Sequence, residues 1–151
     1  MDFSAEKTAT FDEKGRVVLP AVYKNEMGGK IQGGQLAIEM DPYEKCINIY
    51  PLPVWETRIA AIKSKLNRNN KKQSRLLDMF YRSFMIITVP ESCRMNIPNN
   101  FLEKAGIVKE VIFVGQGDRI RLWDAAHYDA YIESLGDYGE LFEEILGNEG
   151  E

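Results

Sequence analysis

The sequence predicts a mixed α+β chain made of tandem pseudo-symmetric β-β-α-β-β repeats with flanking helices. Three observations predict it. The length of 151 residues matches one ordinary domain or two small repeats, and 44% hydrophobic with 28% charged residues is the balance of a folded, water-soluble protein. The chain also repeats itself: Phe11-Asp12-Glu13-Lys14-Gly15-Arg16-Val17-Val18-Leu19-Pro20 aligns with Val89-Pro90-Glu91-Ser92-Cys93-Arg94-Met95-Asn96-Ile97-Pro98. This places Arg16 on Arg94 and Pro20 on Pro98, each 78 residues apart. Further on, Cys46-Ile47-Asn48-Ile49-Tyr50 followed by Trp55 matches Arg119-Ile120-Arg121-Leu122-Trp123 followed by Tyr128, at an offset of 73.

The elements follow in order. Thr8–Phe11 and Arg16–Leu19 alternate as strands and are joined by Asp12-Glu13-Lys14-Gly15. Asp suits the first position of a turn there, and Gly the left-handed position of a short hairpin loop. Pro20 ends the second strand, and 21–27 is long enough for two helical turns. Gly28, Gly29, Gly33 and Gly34 bound a flexible loop. Strands at 35–40 and 46–50 flank Asp41-Pro42-Tyr43-Glu44. Pro51 and Pro53 open a helix whose Trp55, Ile59, Ile62 and Leu66 share one face, and Leu76, Leu77, Phe80, Tyr81 and Phe84 mark a second helix.

The second unit mirrors the first. Strands are expected at 85–89, 94–97, 110–114 and 119–123, with a short helix over 99–105 ended by Gly106 and closing helices at about 125–135 and 138–146. The resulting organisation is a first module at 1–53, a helical inter-repeat segment at 54–84, a second module at 85–124 and C-terminal helices at 125–151. Each half has only about 75 residues, near the limit for an independent core, so the two are expected to interlock around one core.

Charge is unevenly shared. Residues 1–77 carry 13 Lys+Arg against 9 Asp+Glu, whereas 78–151 carry 6 against 14, within an overall net charge of −4. That total argues against a protein coated in base, yet leaves room for one basic face on the first half. Cys46 and Cys93 stand alone and His127 has no ligand-spaced partner, so neither a metal site nor a cofactor is expected, and both cysteines read as buried thiols. No run reaches the ~18–20 apolar residues of a membrane span, and the first residues lack a secretory pattern. The expectation is a cytoplasmic protein without a membrane partner.

Three segments carry a family resemblance: Asp12-x-x-x-Arg16 within 11–20, Ile-Tyr-Pro-Leu-Pro-Val-Trp-Glu at 49–56, and Ala-Gly-Ile-Val-Lys-Glu-Val-Ile-Phe-Val-Gly-Gln at 105–116. Together they resemble the MraZ family of bacterial regulators associated with the division and cell-wall gene cluster, over a span from about Thr8 to Glu133. The resemblance implies two AbrB-like swapped-hairpin modules forming a barrel within one chain. It also implies sequence-specific binding of double-stranded DNA at the promoter of its own cluster, as a repressor in the nucleoid, and assembly with itself into a ring. The second copy departs from the family's Asp-x-x-x-Arg pattern. It reads Pro90-x-x-x-Arg94 and has Cys93 in the place of Gly15. Pro90 cannot donate to a hairpin ladder, and a non-glycine residue at a left-handed position costs roughly 1–2 kcal/mol, so a remodelled second loop is expected.

Arg16 is the first candidate for base readout, since an arginine on a β-hairpin can offer two donors to guanine O6 and N7. Its alternative is an ion pair with Asp12 that braces the turn. Lys14, Lys7 and Arg94 complete the DNA-binding candidates, with Asp12 and Gly15 as turn residues and Asp12 orienting the arginine. Arg16 is expected to matter more than Arg94. Seven basic residues and no acidic one lie between Arg58 and Arg75. They form a phosphate-binding face, a solvated helix face, or a contact with the acidic second half. Gly115-x-Gly117 reads as a β-turn rather than a nucleotide loop. Trp55, Trp123 and Tyr128 read as core anchors. Three function classes follow: a transcriptional regulator, an oligomeric scaffold with reduced DNA binding, and a small hydrolase or nuclease. The third lacks any clustered carboxylates or histidines, so no catalytic residue is assigned.

Overall fold

The computed structural model describes residues 1–147. The last four residues of the C-terminal segment expected at 125–151 lie outside the described residues. In chain order the elements are β1 (Glu6–Thr10), β2 (Arg16–Val18), α1 (Ala21–Glu26), β3 (Gln35–Met40), β4 (Ile47–Pro51), α2 (Leu52–Ser64), α3 (Lys71–Arg82) and β5 (Phe84–Thr88). They continue with β6 (Arg94–Asn96), α4 (Asn99–Ala105), β7 (Glu110–Gln116), β8 (Arg119–Asp124), α5 (Ala125–Ser134) and α6 (Tyr138–Leu146).

Two sheets organise the chain. A six-stranded antiparallel sheet runs β1-β7-β8-β4-β3-β5, and β2 pairs with β6 in a separate two-stranded ribbon. The pairings cross the duplication: β1 of the first half lies on β7 of the second, and β5 of the second half lies on β3 of the first. The local hairpin expected between 8–11 and 16–19 therefore does not form as a ladder. Only the turn itself closes, through Asp12 N–H to Arg16 O at 2.8 Å and Gly15 N–H to Asp12 O at 3.2 Å. The two strands then diverge, β1 onto the seven-residue β7 and β2 onto the three-residue β6, both in the other half.

Punctuation residues act where the sequence places them. Proline precedes the first residue of α1, α2 and α4, where a missing N–H costs nothing. Asn70, Asp124 and Asp137 accept hydrogen bonds from Gln73, His127 and Glu140 N–H groups and so cap α3, α5 and α6. Gly106, at φ +65°, ends α4 in the left-handed conformation. The expected glycine loop holds a short 3₁₀ turn at Gln32–Gly34. The hairpin between β7 and β8 turns at Gly117 and Asp118, while Gly115 lies inside β7. A Cβ on Gly115 would come within 2.4 Å of the Ser4 nitrogen, so glycine there admits the N-terminal arm, which bonds through Phe3 N–H to Gly117 O at 2.7 Å.

One core serves both halves. Val17, Leu19, Leu36, Ile38, Ile47 and Ile49 from the first half pack in the same buried cluster as Met95, Ile97, Val111, Phe113, Ile120 and Leu122 from the second. Tyr23 stitches across the duplication: its hydroxyl donates to Ala5 O at 2.5 Å and Phe113 O at 3.1 Å. A smaller cluster joins Ala37, Tyr50 and Trp55 to Phe80 and Phe84, with Trp55 and Phe84 ring centres 4.6 Å apart. Trp55 and Trp123 are buried, as core anchors are; Trp123 stacks on Tyr131 and contacts Tyr128. Among the described residues no helix is long and apolar enough to cross a membrane.

Candidate nucleic-acid interface

The β2–β6 ribbon carries the chemistry that the duplication points to. Its register pairs Arg16 with Asn96, Val17 with Met95 and Val18 with Arg94. Strand side chains alternate between faces. Val17 and Met95 are buried beneath the ribbon, and Arg16, Val18, Arg94 and Asn96 make up its outer face. The ladder is flanked by Ile97 N–H to Gly15 O at 3.1 Å and Leu19 N–H to Cys93 O at 2.8 Å. These two bonds are related by a pseudo-two-fold axis through Val17 and Met95.

Asp12 organises the first loop. Its Oδ1 accepts from the Lys14 and Arg16 backbone N–H groups at 2.9 and 3.0 Å, and its Oδ2 accepts from Arg16 Nε at 2.8 Å. The Arg16 N–H bond, followed by the one from Lys14, holds the Asp12 carboxyl below its usual range although the group is open to solvent. The carboxylate fixes the inner edge of the guanidinium. Among the described residues neither terminal nitrogen of Arg16 has a protein partner. Bracing and presentation are therefore compatible: one edge of the fork is held and the other faces water.

The second loop keeps the backbone of the first. Cys93 adopts φ +61° where Gly15 has +76°, and Cys93 N–H bonds to Pro90 O at 2.8 Å as Gly15 N–H does to Asp12 O. The remodelling expected from Pro90 and Cys93 does not occur at this level. Burial of the Cys93 side chain in the common core offsets the cost of its conformation. What is lost is the bond from Asp12 N–H to Arg16 O, which Pro90 cannot donate, and the side-chain brace: Pro90 offers no carboxylate, and the Arg94 guanidinium has no protein partner among the described residues.

The other sequence candidates fall into separate places. Lys14 is exposed on the first loop, next to Arg16. Lys7 lies on β1, opposite Phe113 at the edge of the large sheet, and is not part of the ribbon. Asn96 was not singled out by the sequence reading; the alternation Arg94-Met95-Asn96 is the signal that places it beside Arg94. The basic segment divides. Arg58 Nη2 meets Glu39 Oε2 at 2.8 Å on α2's inner side, and the Glu39 carboxylate is buried. Lys63, Lys65, Lys71, Lys72 and Arg75 have no ion pair among the described residues.

Elsewhere the polar chemistry is structural. Asp41 receives Asn48, Tyr43 and Glu44 donors and lies 3.2 Å from Arg121 Nη2, which together hold its carboxyl below the usual range against its burial. Both cysteines are free and buried, and burial pushes the Cys46 thiol up to about 11. An open cleft of about 690 Å³ between α2 and the β7–β8 turn is lined by Arg58, Lys65, Asp118 and Arg119. Among the described residues no group of three or more His, Cys, Asp or Glu side chains is arranged to hold a metal ion.

A family model described as MraZ protein, antitoxin-like, matches residues 3–79 and 88–140. The chain is similar to the transcriptional regulator MraZ of Phocaeicola vulgatus, 33% identical over 147 residues that cover 97% of this chain and 95% of that protein. It is likewise 33% identical over 150 residues to the transcriptional regulator MraZ of Nitrosomonas europaea, covering 96% and 97% of the two chains. The protein of the same description from Flavobacterium psychrophilum is 29% identical over 138 residues, covering 91% and 87%.

Proposed function

The chain belongs to the MraZ family, and on that premise we propose that it is a sequence-specific, DNA-binding transcriptional regulator, a repressor acting at the promoter of its own division and cell-wall gene cluster, and so working in the nucleoid. One observation carries the reading: the outer face of the β2–β6 ribbon presents Arg16 and Arg94 on a diagonal, with Asp12 orienting Arg16. A two-stranded ribbon is one of the two elements that fit the major groove. Arginines on such a diagonal stand about 7–8 Å apart, close to two base-pair steps of ~3.4 Å. Lys14 is placed to take a phosphate at the flank, and Lys7 a more distant one.

The cross-paired halves support an AbrB-like swapped-hairpin barrel, with modules at 1–53 and 85–124, a helical segment at 54–84 and C-terminal helices from 125. Self-assembly into a ring-like homo-oligomer completes the proposal, because one ribbon reads few base pairs and a chain of net charge −4 is weakly drawn to DNA. Two faces support it. α3 combines Lys71, Lys72, Arg75 and Arg82 with exposed Leu76 and Met79, and α6 combines Glu140, Glu143 and Glu144 with exposed Tyr138, Leu141, Phe142 and Ile145. No α6 residue is buried, and a nine-residue helix is too short to persist in water unsupported. Docking α6 of one copy on α3 of the next is a head-to-tail contact that closes into a ring and favours DNA with repeated short boxes.

A second reading, an oligomeric scaffold with reduced DNA binding, is favoured by the missing carboxylate at Pro90. A mobility-shift assay with DNA from upstream of the protein's own gene separates them. A shift by the wild-type chain that Arg16→Ala abolishes supports the regulator, and no shift by an intact oligomer supports the scaffold.

A further inference from the structure

The two halves of the ribbon are not equivalent: besides the Asp12 brace on Arg16, they differ in the outward residue that stands opposite each arginine. The position two after Arg16 is Val18, and the position two after Arg94 is Asn96. Because the strands run antiparallel, Asn96 faces Arg16 and Val18 faces Arg94. The flanking bonds at Gly15–Ile97 and Cys93–Leu19 make both outward pairs non-hydrogen-bonded ones, the closer kind, with Cα atoms about 4.5 Å apart. Asn96 is exposed, and its carboxamide has no protein partner among the described residues. Asparagine is a poor strand residue, so strand propensity does not account for it at the end of β6, opposite Arg16.

We propose that Asn96 is a specificity-determining residue that reads adenine beside the guanine read by Arg16, so that the ribbon has two unequal poles. At the Arg16–Asn96 pole, the guanidinium offers two donors to guanine O6 and N7, and the carboxamide offers a donor and an acceptor to adenine N7 and N6. At the Arg94–Val18 pole, the arginine is matched with an apolar side chain suited to a thymine methyl group. The separation of the first pair, about one base-pair step, puts the adenine next to the guanine. The polarity this gives the ribbon orients each subunit on a short asymmetric box, which a pair of like poles could not do. The inference rests on the DNA-binding reading above.

The test is selection from randomised duplex DNA with the full chain, followed by anisotropy titrations of the selected site at several salt concentrations. Wild type is expected to enrich a box with adenine adjacent to guanine. Asn96→Val, which places valine opposite both arginines and favours the strand, should lose the adenine preference and bind the selected box about 10- to 100-fold more weakly, with an unchanged salt slope because no phosphate contact is removed. Enrichment of the same box with equal affinity by Asn96→Val overturns the role of Asn96 while leaving the DNA-binding reading intact. Failure of wild type to enrich any sequence overturns both.

Discussion

Gly15 and Cys93 occupy matching left-handed positions, at φ +76° and +61°, on the two loops that flank the β2–β6 ribbon, and their carbonyl oxygens accept the equivalent bonds from Ile97 and Leu19. The same backbone is reached by a residue with no Cβ in one loop and by a buried thiol in the other. Positive φ is a cost for cysteine that its packing compensates, and for glycine it is no cost at all.

Gly15→Ala is therefore expected to lower stability by about 1–2 kcal/mol through strain alone, since its new Cβ would meet only ordinary contacts, Ile97 O at 3.5 Å and Leu102 Cδ1 at 3.7 Å. Cys93→Gly should change stability by less, because relief of strain opposes the loss of buried side chain. Urea titrations of both variants decide the matter. A larger loss for Cys93→Gly than for Gly15→Ala would mean that packing outweighs conformation in the second loop.

Arg16→Ala should weaken specific DNA binding more than Arg94→Ala. Asp12 holds Arg16 Nε at 2.8 Å before any ligand arrives, whereas Arg94 must give up its rotamer freedom on binding. Asp12→Ala should reproduce part of the Arg16→Ala loss, and a bidentate arginine–guanine pair sets the scale at about 1–3 kcal/mol. Titrations of the same duplex with all three variants supply the comparison. Equal losses from the two arginine variants would show that the brace does not matter.

Arg58 should behave as a structural residue despite its place in a basic run. Its guanidinium is the charged partner of buried Glu39, which also receives weaker bonds from Asn48 Nδ2 at 3.4 Å and the Tyr50 hydroxyl at 3.3 Å. Arg58→Ala should cost about 1.5–3 kcal/mol of stability, the value of a hydrogen bond to a charged group. Lys72→Ala on exposed α3 should cost less than about 0.5 kcal/mol. Thermal melts that rank them the other way would remove the distinction.

Stability should fall at alkaline pH through Tyr23. Burial pushes its phenol up to about 12 from an ordinary value of 10, so the folded state prefers the protonated form. The stabilisation is complete below pH 10 and is lost as pH rises towards 12. Tyr128, also raised to about 12 by desolvation and by its bond to Glu6, adds to the same loss. Tyr23→Phe should be about 1 kcal/mol less stable at pH 8 yet lose less between pH 10 and 11.5. Identical pH slopes for the two proteins would exclude Tyr23 as the titrating group.

Much of this was legible in the residues. The duplication aligns Arg16 with Arg94, the prolines and Gly106 mark helix limits, and the Trp55 periodicity identifies an inward helical face on which Trp55 is buried and Ile59 and Ile62 are half-buried. Partner choice between strands was not legible, because the alternation of 8–11 and 16–19 fits a local hairpin as well as pairing across the halves. Loop chemistry also misled: Cys93 and Pro90 both argue locally for a changed turn, and only tertiary burial of the thiol allows the old backbone to persist. Asn96 was hidden for a related reason, since its significance arises from standing opposite Arg16, a relationship set by register between strands 80 residues apart in sequence.

Assembly gives the last prediction. The apolar faces of α3 and α6 carry opposite charge, and neither covers the other within one chain, so each copy has one basic and one acidic half-site. Light scattering should report a particle several times 17.3 kDa. Glu140→Lys with Glu143→Lys and Glu144→Lys should dissociate it by placing like charges in contact, while leaving the fold intact because no α6 residue is buried. A second chain carrying Lys71→Glu, Lys72→Glu and Arg75→Glu should also be monomeric alone. Mixed, the two variants restore both contacts, Lys-bearing α6 on Glu-bearing α3 and wild-type α6 on wild-type α3, so an alternating hetero-oligomer should form. Monomers after mixing would mean that the contact uses other surfaces. Free monomers should also lose binding to multi-box DNA far more than to a single box, since linkage of ribbons on one particle multiplies affinity by roughly 100-fold or more without any new contact.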